Sequence, residues 1–73
     1  MEQVQRIVNV IREDSCTITD ILKRLHLKGR SNVVMNYLKP AIEGGYVLRS
    51  YPDKPRHPKQ RYYLSEKGLK LVK

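Results

Sequence analysis

Two consecutive stretches of this chain decide its fold. Residues 29–45 read GRSNVVMNYLKPAIEGG, and residues 46–64 read YVLRSYPDKPRHPKQRYYL. In the first stretch, apolar residues recur at helical spacing between the capping residue Ser31 and the pair Gly44-Gly45. In the second, aromatic and β-branched residues flank a proline-rich basic segment, which is typical of two strands joined as a hairpin. The sequence therefore predicts a helix that is followed directly by a basic hairpin.

Pro40 interrupts the helical pattern of the first stretch. Its ring nitrogen has no hydrogen to donate to the carbonyl of Asn36, and the ring clashes with a regular helical turn. We therefore expect a kink at Pro40, or a break of this third helix into two short ones.

Two further amphipathic helices are predicted upstream. Apolar residues at helical spacing predict the first over about residues 2–13, with a break at Asp14-Ser15. The same spacing predicts a second, short helix that begins near residue 18, is capped by Thr17 or Thr19, and is stopped by Gly29.

After Gly45 the sequence changes from helical spacing to residues typical of strands, and this change predicts the hairpin and the last helix. Residues 46–51 and 61–64 are predicted strands, with residues 52–60 as the hairpin loop between them. Tyr62 and Leu64 are expected to face the core, and Ser65 to cap a last helix that extends to residue 72. The predicted fold class is α+β: a winged helix-turn-helix with a three-helix core, a two-stranded β-hairpin wing and a short C-terminal helix. Residues 1–73 are expected to form a single domain.

The charge of the chain points to an acidic partner. Its 73 residues include 15 Lys and Arg against 7 Asp and Glu, a formal net charge of +8. Such a charge on a small domain attracts polyanions, which include nucleic acid, an anionic membrane surface and an acidic protein. No apolar run approaches the ~18 residues that span a bilayer, and Glu2 stands where a signal peptide would be basic and apolar. We expect a cytoplasmic location and no membrane partner.

Signals of enzyme chemistry are absent from the sequence. The single cysteine, Cys16, is expected to be a small buried residue, since His26 and His57 lie too far along the chain to complete a zinc site with it. The chain has no glycine-rich phosphate loop and no HExxH pattern. We expect no catalytic activity, no cofactor, no metal and no small-molecule substrate.

The third helix supplies the first group of candidate binding residues. In a helix-turn-helix protein this helix lies in the major groove of DNA and reads base edges with its outer face. Asn32 and Asn36 lie on that face and can pair with adenine. Arg30 and Lys39 are expected to hold phosphates, with Ser31 at the same helix start.

The hairpin loop and its exit supply the second group. Its cations and the imidazole among them fall within eight residues, and the prolines between them stiffen the loop and lower the entropy lost on binding. A rigid basic hairpin fits contact with the DNA backbone or the minor groove. The candidates are Lys54, Arg56, His57, Lys59 and Arg61.

Several motifs together resemble one winged-helix family. They are LKGRSN at 27–32, YLKPAIE at 37–43, GYV at 45–47, YPDKP at 51–55 and QRYYLSEKG at 60–68. The resemblance is to the C-terminal domain found behind Fic-type proteins and behind ATP-binding regulators often labelled ATP-dependent DNA helicase-like. It implies a winged-helix fold and a chain that is the C-terminal fragment of a longer intracellular bacterial protein.

These observations leave three functions open. The first is a module that binds double-stranded DNA and serves transcription regulation, with the third helix in the major groove and the basic hairpin on the phosphate backbone. The alternative is a protein-interaction or dimerisation module of a larger Fic-type or ATP-binding protein. Residues 33–36 read VVMN where the motif of the resembled family carries an aromatic residue and extra arginines. Val33, Met35 and the apolar edge of the first helix would then contact another chain. The third is RNA binding through the hairpin.

Overall fold

Helices dominate the first part of the chain, and a small sheet follows them. The computed structural model describes residues 2–54 and 56–73. A third helix, α3, runs from residue 30 to 43 in three consecutive segments, which are Arg30–Val33, Val34–Leu38 and Lys39–Glu43. The other elements are α1 (Glu2–Ile11), α2 (Ile18–Leu25), β1 (Val47–Arg49), β2 (Tyr62–Leu64) and α4 (Glu66–Leu69).

The two strands form an antiparallel sheet, which confirms the α+β class. Val47 lies opposite Leu64, and Arg49 lies opposite Tyr62. Beyond the ladder, Cys16 exchanges two backbone hydrogen bonds with Tyr62, of 2.9 Å and 2.7 Å. This bridge ties the segment before α2 to the hairpin, so the helices and the sheet hold one another in place.

The core lies where the inward faces of α1, α2 and α3 meet the inner face of the hairpin. The predicted alternation is confirmed in β2, because Tyr62 and Leu64 are buried while Tyr63 is exposed. Cys16 is buried as predicted. The largest side chains with almost no exposed surface are Ile7, Val8, Ile11, Cys16, Ile21, Val33, Leu38 and Val47.

Pro40 is accommodated by a widened helical turn. The segment Val34–Leu38 is π-helical, and the N–H of Lys39 donates to the carbonyl of Val34, five residues earlier. A π-turn moves the preceding carbonyls away from the proline ring, which removes the clash that an α-helical turn would produce. Leu38 and Lys39 keep right-handed helical backbone directly before the proline, so the alternative of a break into two separate helices is wrong.

Two helix boundaries differ from the prediction because non-glycine residues adopt left-handed backbone. α1 ends at Ile11 and not near residue 13, because the next residue, Arg12, has φ of 53°. α2 ends at Leu25 and not near Gly29, because His26 has φ of 58° and its N–H donates to the carbonyl of Lys23. Such left-handed residues close helices by satisfying the last free carbonyls.

The caps and ends of several other elements also differ from the prediction or decide between its alternatives. Thr17 caps α2 in a capping box with Asp20, whereas Gly29 and not Ser31 occupies the N-cap of α3. Both strands are shorter than predicted, at residues 47–49 and 62–64, and α4 stops at residue 69 rather than 72. Terminal residues of an element have few packing partners, so sequence period fixes them weakly.

The short helix α4 docks against the start of β1. Ser65 caps it as predicted, by accepting a bond of 3.1 Å from the N–H of Gly68. The carbonyl of Tyr46 in turn accepts from the Ser65 N–H at 3.0 Å, while the Ser65 hydroxyl donates to the carbonyl of Gly45 at 2.5 Å. Gly68 is buried against this carbonyl. Within the described residues, no helix is both long and apolar enough to cross a membrane.

Candidate nucleic-acid interface

A groove of about 820 Å³ runs between α3 and the hairpin. Its floor is mostly apolar, and cationic side chains from α3, from β1 and from the hairpin loop line it. Glu43 contributes the one carboxylate among the lining side chains. The lining residues are Ile18, Arg30, Ser31, Val34, Met35, Leu38, Lys39, Ile42, Glu43, Arg49, Arg56 and Tyr62.

Four cations therefore converge from three parts of the chain: Arg30, Lys39, Arg49 and Arg56. They are called the groove cations below. Within residues 2–54 and 56–73, the ion pair that the structure shows lies elsewhere, between Arg24 and Asp14 at 2.9 Å. The groove cations thus have no carboxylate bound to them among these residues, so their charge is available to an anionic partner.

Tyr62 forms part of the groove floor. Burial raises the pKa of its hydroxyl, and the nearby Arg49 and Arg30 oppose that shift. The phenol therefore stays protonated at neutral pH, so its pKa shift adds no negative charge to the groove.

A second, smaller pocket of about 310 Å³ adjoins the groove at the foot of the hairpin loop. Arg30 and Arg56 line both cavities, and His57 lines the smaller one. The hydroxyl residues Thr17 and Thr19, from the start of α2, complete its polar wall. The pocket thus brings together three segments of the chain, from the start of α2, the start of α3 and the hairpin.

The hairpin loop is ordered by a buried amide. Gln60 is only 6% exposed, and its side chain bonds both the N–H and the carbonyl of Tyr51 at 2.8 Å each. The Tyr51 ring stacks on the His57 ring with centroids 3.9 Å apart and an angle of 8° between planes. The Nδ1 atom of His57 accepts a bond of 3.0 Å from the N–H of Lys59. These contacts hold the imidazole in one orientation.

Half of the predicted binding residues meet at these two cavities. Arg30, Ser31 and Lys39 line the groove from α3, and Arg56 lines it from the hairpin loop. His57 lies in the adjoining pocket. The predicted convergence of the helix start and the hairpin loop on one surface is thus found in the structure.

The other predicted residues lie outside both cavities. Asn32 and Asn36 are exposed on the outer face of α3, where the amide of Asn36 donates to the side-chain oxygen of Asn32. Lys54 and Lys59 are exposed on the hairpin loop. Arg61 turns to the opposite side of the strand from Tyr62 and donates to the carbonyl of Ser15 at 2.7 Å. Pro55, one of the prolines expected to stiffen the loop, lies outside the described residues.

Sequence reasoning missed four contributors to this surface. Arg49 could have been found, because strand alternation puts it on the same side of β1 as the buried Val47. The sequence predicts Thr17 and Thr19 only as helix caps, and no local sequence pattern marks the amide of Gln60 as buried. The roles of Thr17, Thr19 and Gln60 in this surface depend on how the hairpin packs against α2.

Comparisons with known proteins agree with this architecture. Residues 2–65 match the family described as "Filamentation induced by cAMP protein Fic-like, C-terminal domain". The chain belongs to this family. A crystal structure of a Fic family protein from Desulfovibrio desulfuricans G20 is also similar to this Fic-like C-terminal domain, with a TM-score of 0.84 and 37% sequence identity. The similarity covers 93% of this chain and 21% of that chain, so the domain spans about a fifth of the length of its solved relative.

A search among curated proteins finds no match. The predicted resemblance to Fic-type proteins is confirmed by the family match and by the solved relative. The resemblance to ATP-binding, helicase-like regulators stays a prediction.

Proposed function

We propose that this Fic-like C-terminal domain is a cytoplasmic winged-helix module with which a larger Fic-type protein docks on double-stranded DNA. The observation that supports it best is the convergence of the four groove cations, from α3, β1 and the hairpin loop, on one surface. Among the described residues, no carboxylate is bound to these cations. In this proposal the domain binds and does not catalyse. Contact with promoter DNA would then serve transcription regulation.

The expected contacts are chiefly with phosphates. Lysine and arginine side chains that neutralise backbone phosphates release counterions, so affinity falls steeply with salt. The groove cations together with the exposed Lys54 and Lys59 supply about six contacts, and the slope of log K against log salt is then roughly −5. Binding by the isolated domain is expected in the micromolar range that is typical of non-specific contact.

The test is a fluorescence anisotropy titration of a labelled duplex at several salt concentrations. Lys39→Ala and Arg49→Ala should each make the slope less steep by roughly 0.9, because each removes one phosphate contact. Lys23→Ala is the matched control, since it removes the same charge from an exposed position on α2 outside the groove. Absence of binding at about 50 mM salt, or an equal effect of the control, would contradict the proposal.

Base recognition is a separate expectation. We propose that Asn32 and Asn36 exchange their mutual hydrogen bond for contacts with adenine when α3 enters the major groove. Asn36→Ala should then lower discrimination between duplexes by ~1–3 kcal/mol per base pair while the salt slope stays the same. Equal affinities of the parent domain for all duplexes would remove this part of the proposal.

A second candidate function is docking on another protein chain, either the rest of the Fic-type protein or a second copy. The observation that favours it is the apolar groove floor with Met35, which is 55% exposed. Val33, which the sequence suggested for this contact, is fully buried and cannot take part. Sedimentation at low and high salt separates the two functions, because an apolar contact persists at high salt and Met35→Lys should abolish it. Competition by single-stranded RNA tests the remaining alternative.

A further inference from the structure

The smaller pocket at the foot of the hairpin loop has the composition of an oxyanion site. Its polar wall holds the guanidinium groups of Arg30 and Arg56, the imidazole of His57, and the hydroxyl-bearing Thr17 and Thr19. None of its lining residues is acidic. Arginine presents donors in a planar fork that matches phosphate oxygens, so two of them at one pocket favour a phosphate group over a halide.

His57 is positioned as a donor in this pocket. Because Nδ1 accepts the Lys59 N–H, the proton of the neutral ring lies on Nε2. The stacked Tyr51 ring keeps the imidazole from rotating, and Gln60 fixes Tyr51 through its backbone. The ring therefore offers an N–H donor whose orientation is set before any ligand arrives, which lowers the entropy lost on binding.

Arg30 reaches the pocket from a different part of the chain. It is the first residue of α3, directly after the extended N-cap residue Gly29. Arg56 comes from the hairpin loop, so a ligand bound by both would join α3 to the hairpin. Both side chains are exposed at the pocket, and within the described residues neither makes an ion pair.

We propose that this pocket binds a single phosphate group, with Arg30 and Arg56 bonding its oxygens and the Nε2–H of His57 donating to it. The inference deepens the proposed function, and rests on it for the source of the ligand, a backbone phosphodiester of duplex DNA. A phosphate monoester on a free nucleotide has the same chemistry at the pocket. When DNA is the source, the pocket fixes the position of the hairpin along the backbone, since phosphate contacts set register.

The first experiment follows the 15N spectrum of the 73-residue chain during titration with inorganic phosphate. Sodium chloride keeps the ionic strength constant, so general screening does not change. The expected result is saturable shifts of the amides of residues 17–19 and 30 and of the His57 ring nitrogens. A 5′-phosphorylated dinucleotide should bind, and the same dinucleotide without its 5′-phosphate should bind less.

Variants then identify the residues that hold the phosphate. Arg30→Ala and Arg56→Ala should each weaken phosphate binding by roughly tenfold, because each removes a charge-assisted hydrogen bond. Lys59→Ala is the matched control: it removes a charge from the same loop but lies outside the pocket and keeps the N–H that orients His57. Arg56→Lys keeps the charge but loses the planar, forked donors of the guanidinium group. Its affinity for phosphate should therefore lie between the affinities of Arg56→Ala and Lys59→Ala. Unchanged amide dispersion in each variant verifies the fold.

Titration with duplex DNA separates this inference from the proposed function. Saturable phosphate binding that depends on Arg56, together with no duplex binding, would establish the pocket as a phosphate monoester site and refute DNA docking. If duplex DNA binds but phosphate causes no saturable shift, and Arg56→Ala weakens duplex binding no more than Lys23→Ala does, the pocket inference is overturned while DNA docking stands. Phosphate and duplex binding that both depend on Arg30 and Arg56 would support both.

Discussion

Gly68 offers a direct test of how α4 is fixed against β1. A methyl group at this position would lie 2.2 Å from the carbonyl oxygen of Tyr46, 3.1 Å from its carbon and 3.3 Å from Cβ of Leu64. Helix propensity alone favours alanine over glycine by ~1 kcal/mol. The steric contact acts in the opposite direction, because overpacking a buried site lowers the free energy of unfolding by ~1–3 kcal/mol. The displaced Tyr46 carbonyl would also lose its bond from the Ser65 N–H, at about 1 kcal/mol.

The steric contact and the lost bond together outweigh helix propensity, so Gly68→Ala should lower the free energy of unfolding by about 1–3 kcal/mol. In a domain of this size, that corresponds to a fall in Tm on the order of 10 °C. Urea unfolding followed by circular dichroism measures it. Gly45→Ala is the comparison: with φ of 79° and no atom within 4 Å of the added methyl, it should lose only ~1–2 kcal/mol from backbone strain. A Gly68→Ala variant as stable as the parent would refute the reasoning, since α4 would then be free to move away from β1.

Four other measurements test the fold and the loop. Thr17→Ala should lower the free energy of unfolding by about 1 kcal/mol in the same urea assay, because α2 loses its side-chain cap. The backbone hydrogen bond from Thr17 holds the pKa of Asp20 below its ordinary value of 3.8. The ionised Asp20 carboxylate therefore stabilises the folded chain above pH 3.8, and this stabilisation is lost as the pH falls through the lower pKa of the folded state. Asp20→Asn should flatten the acid limb of a stability–pH curve. Burial raises the pKa of the Cys16 thiol, so alkylation at pH 8 should be slow in the folded chain and should accelerate in urea; fast labelling of the folded chain would show that the Cys16–Tyr62 bridge opens readily. Gln60→Leu should cost ~1–3 kcal/mol and broaden the resonances of the hairpin loop, because the backbone of Tyr51 loses both partners; sharp, unshifted resonances would show that the amide does not order the loop.

The order of elements could be predicted because burial leaves a period in the sequence. Apolar residues three and four apart identified α1, α2 and α3, and alternation in β2 placed Tyr62 and Leu64 inward. The basic loop between two strands predicts a binding surface, and the charge composition predicts that its partner is anionic; both stay predictions.

Features that depend on three-dimensional packing could not be predicted. The left-handed backbone of His26 closes α2 three residues before Gly29, the residue whose type indicated a stop. The proximity of Arg30 to Arg56 depends on the angle at which the hairpin docks, which the Cys16 bridge to β2 fixes. The role of Gln60 depends on the burial of its polar side chain, whereas glutamine as a residue type is predicted to be exposed.

The π-helical turn of α3 bears on how this domain tolerates a change of length. The bond from Lys39 to Val34 encloses one residue more than an α-helical bond encloses. Deleting one residue inside this turn would let the flanking segments join as an ordinary α-helix, and Val33 and Ala41 would keep their buried sides. The ring of Pro40 would then meet the carbonyl four residues before it, so the deletion should be tolerated only when the proline is replaced as well. Shorter versions of this helix are therefore expected to lack the proline.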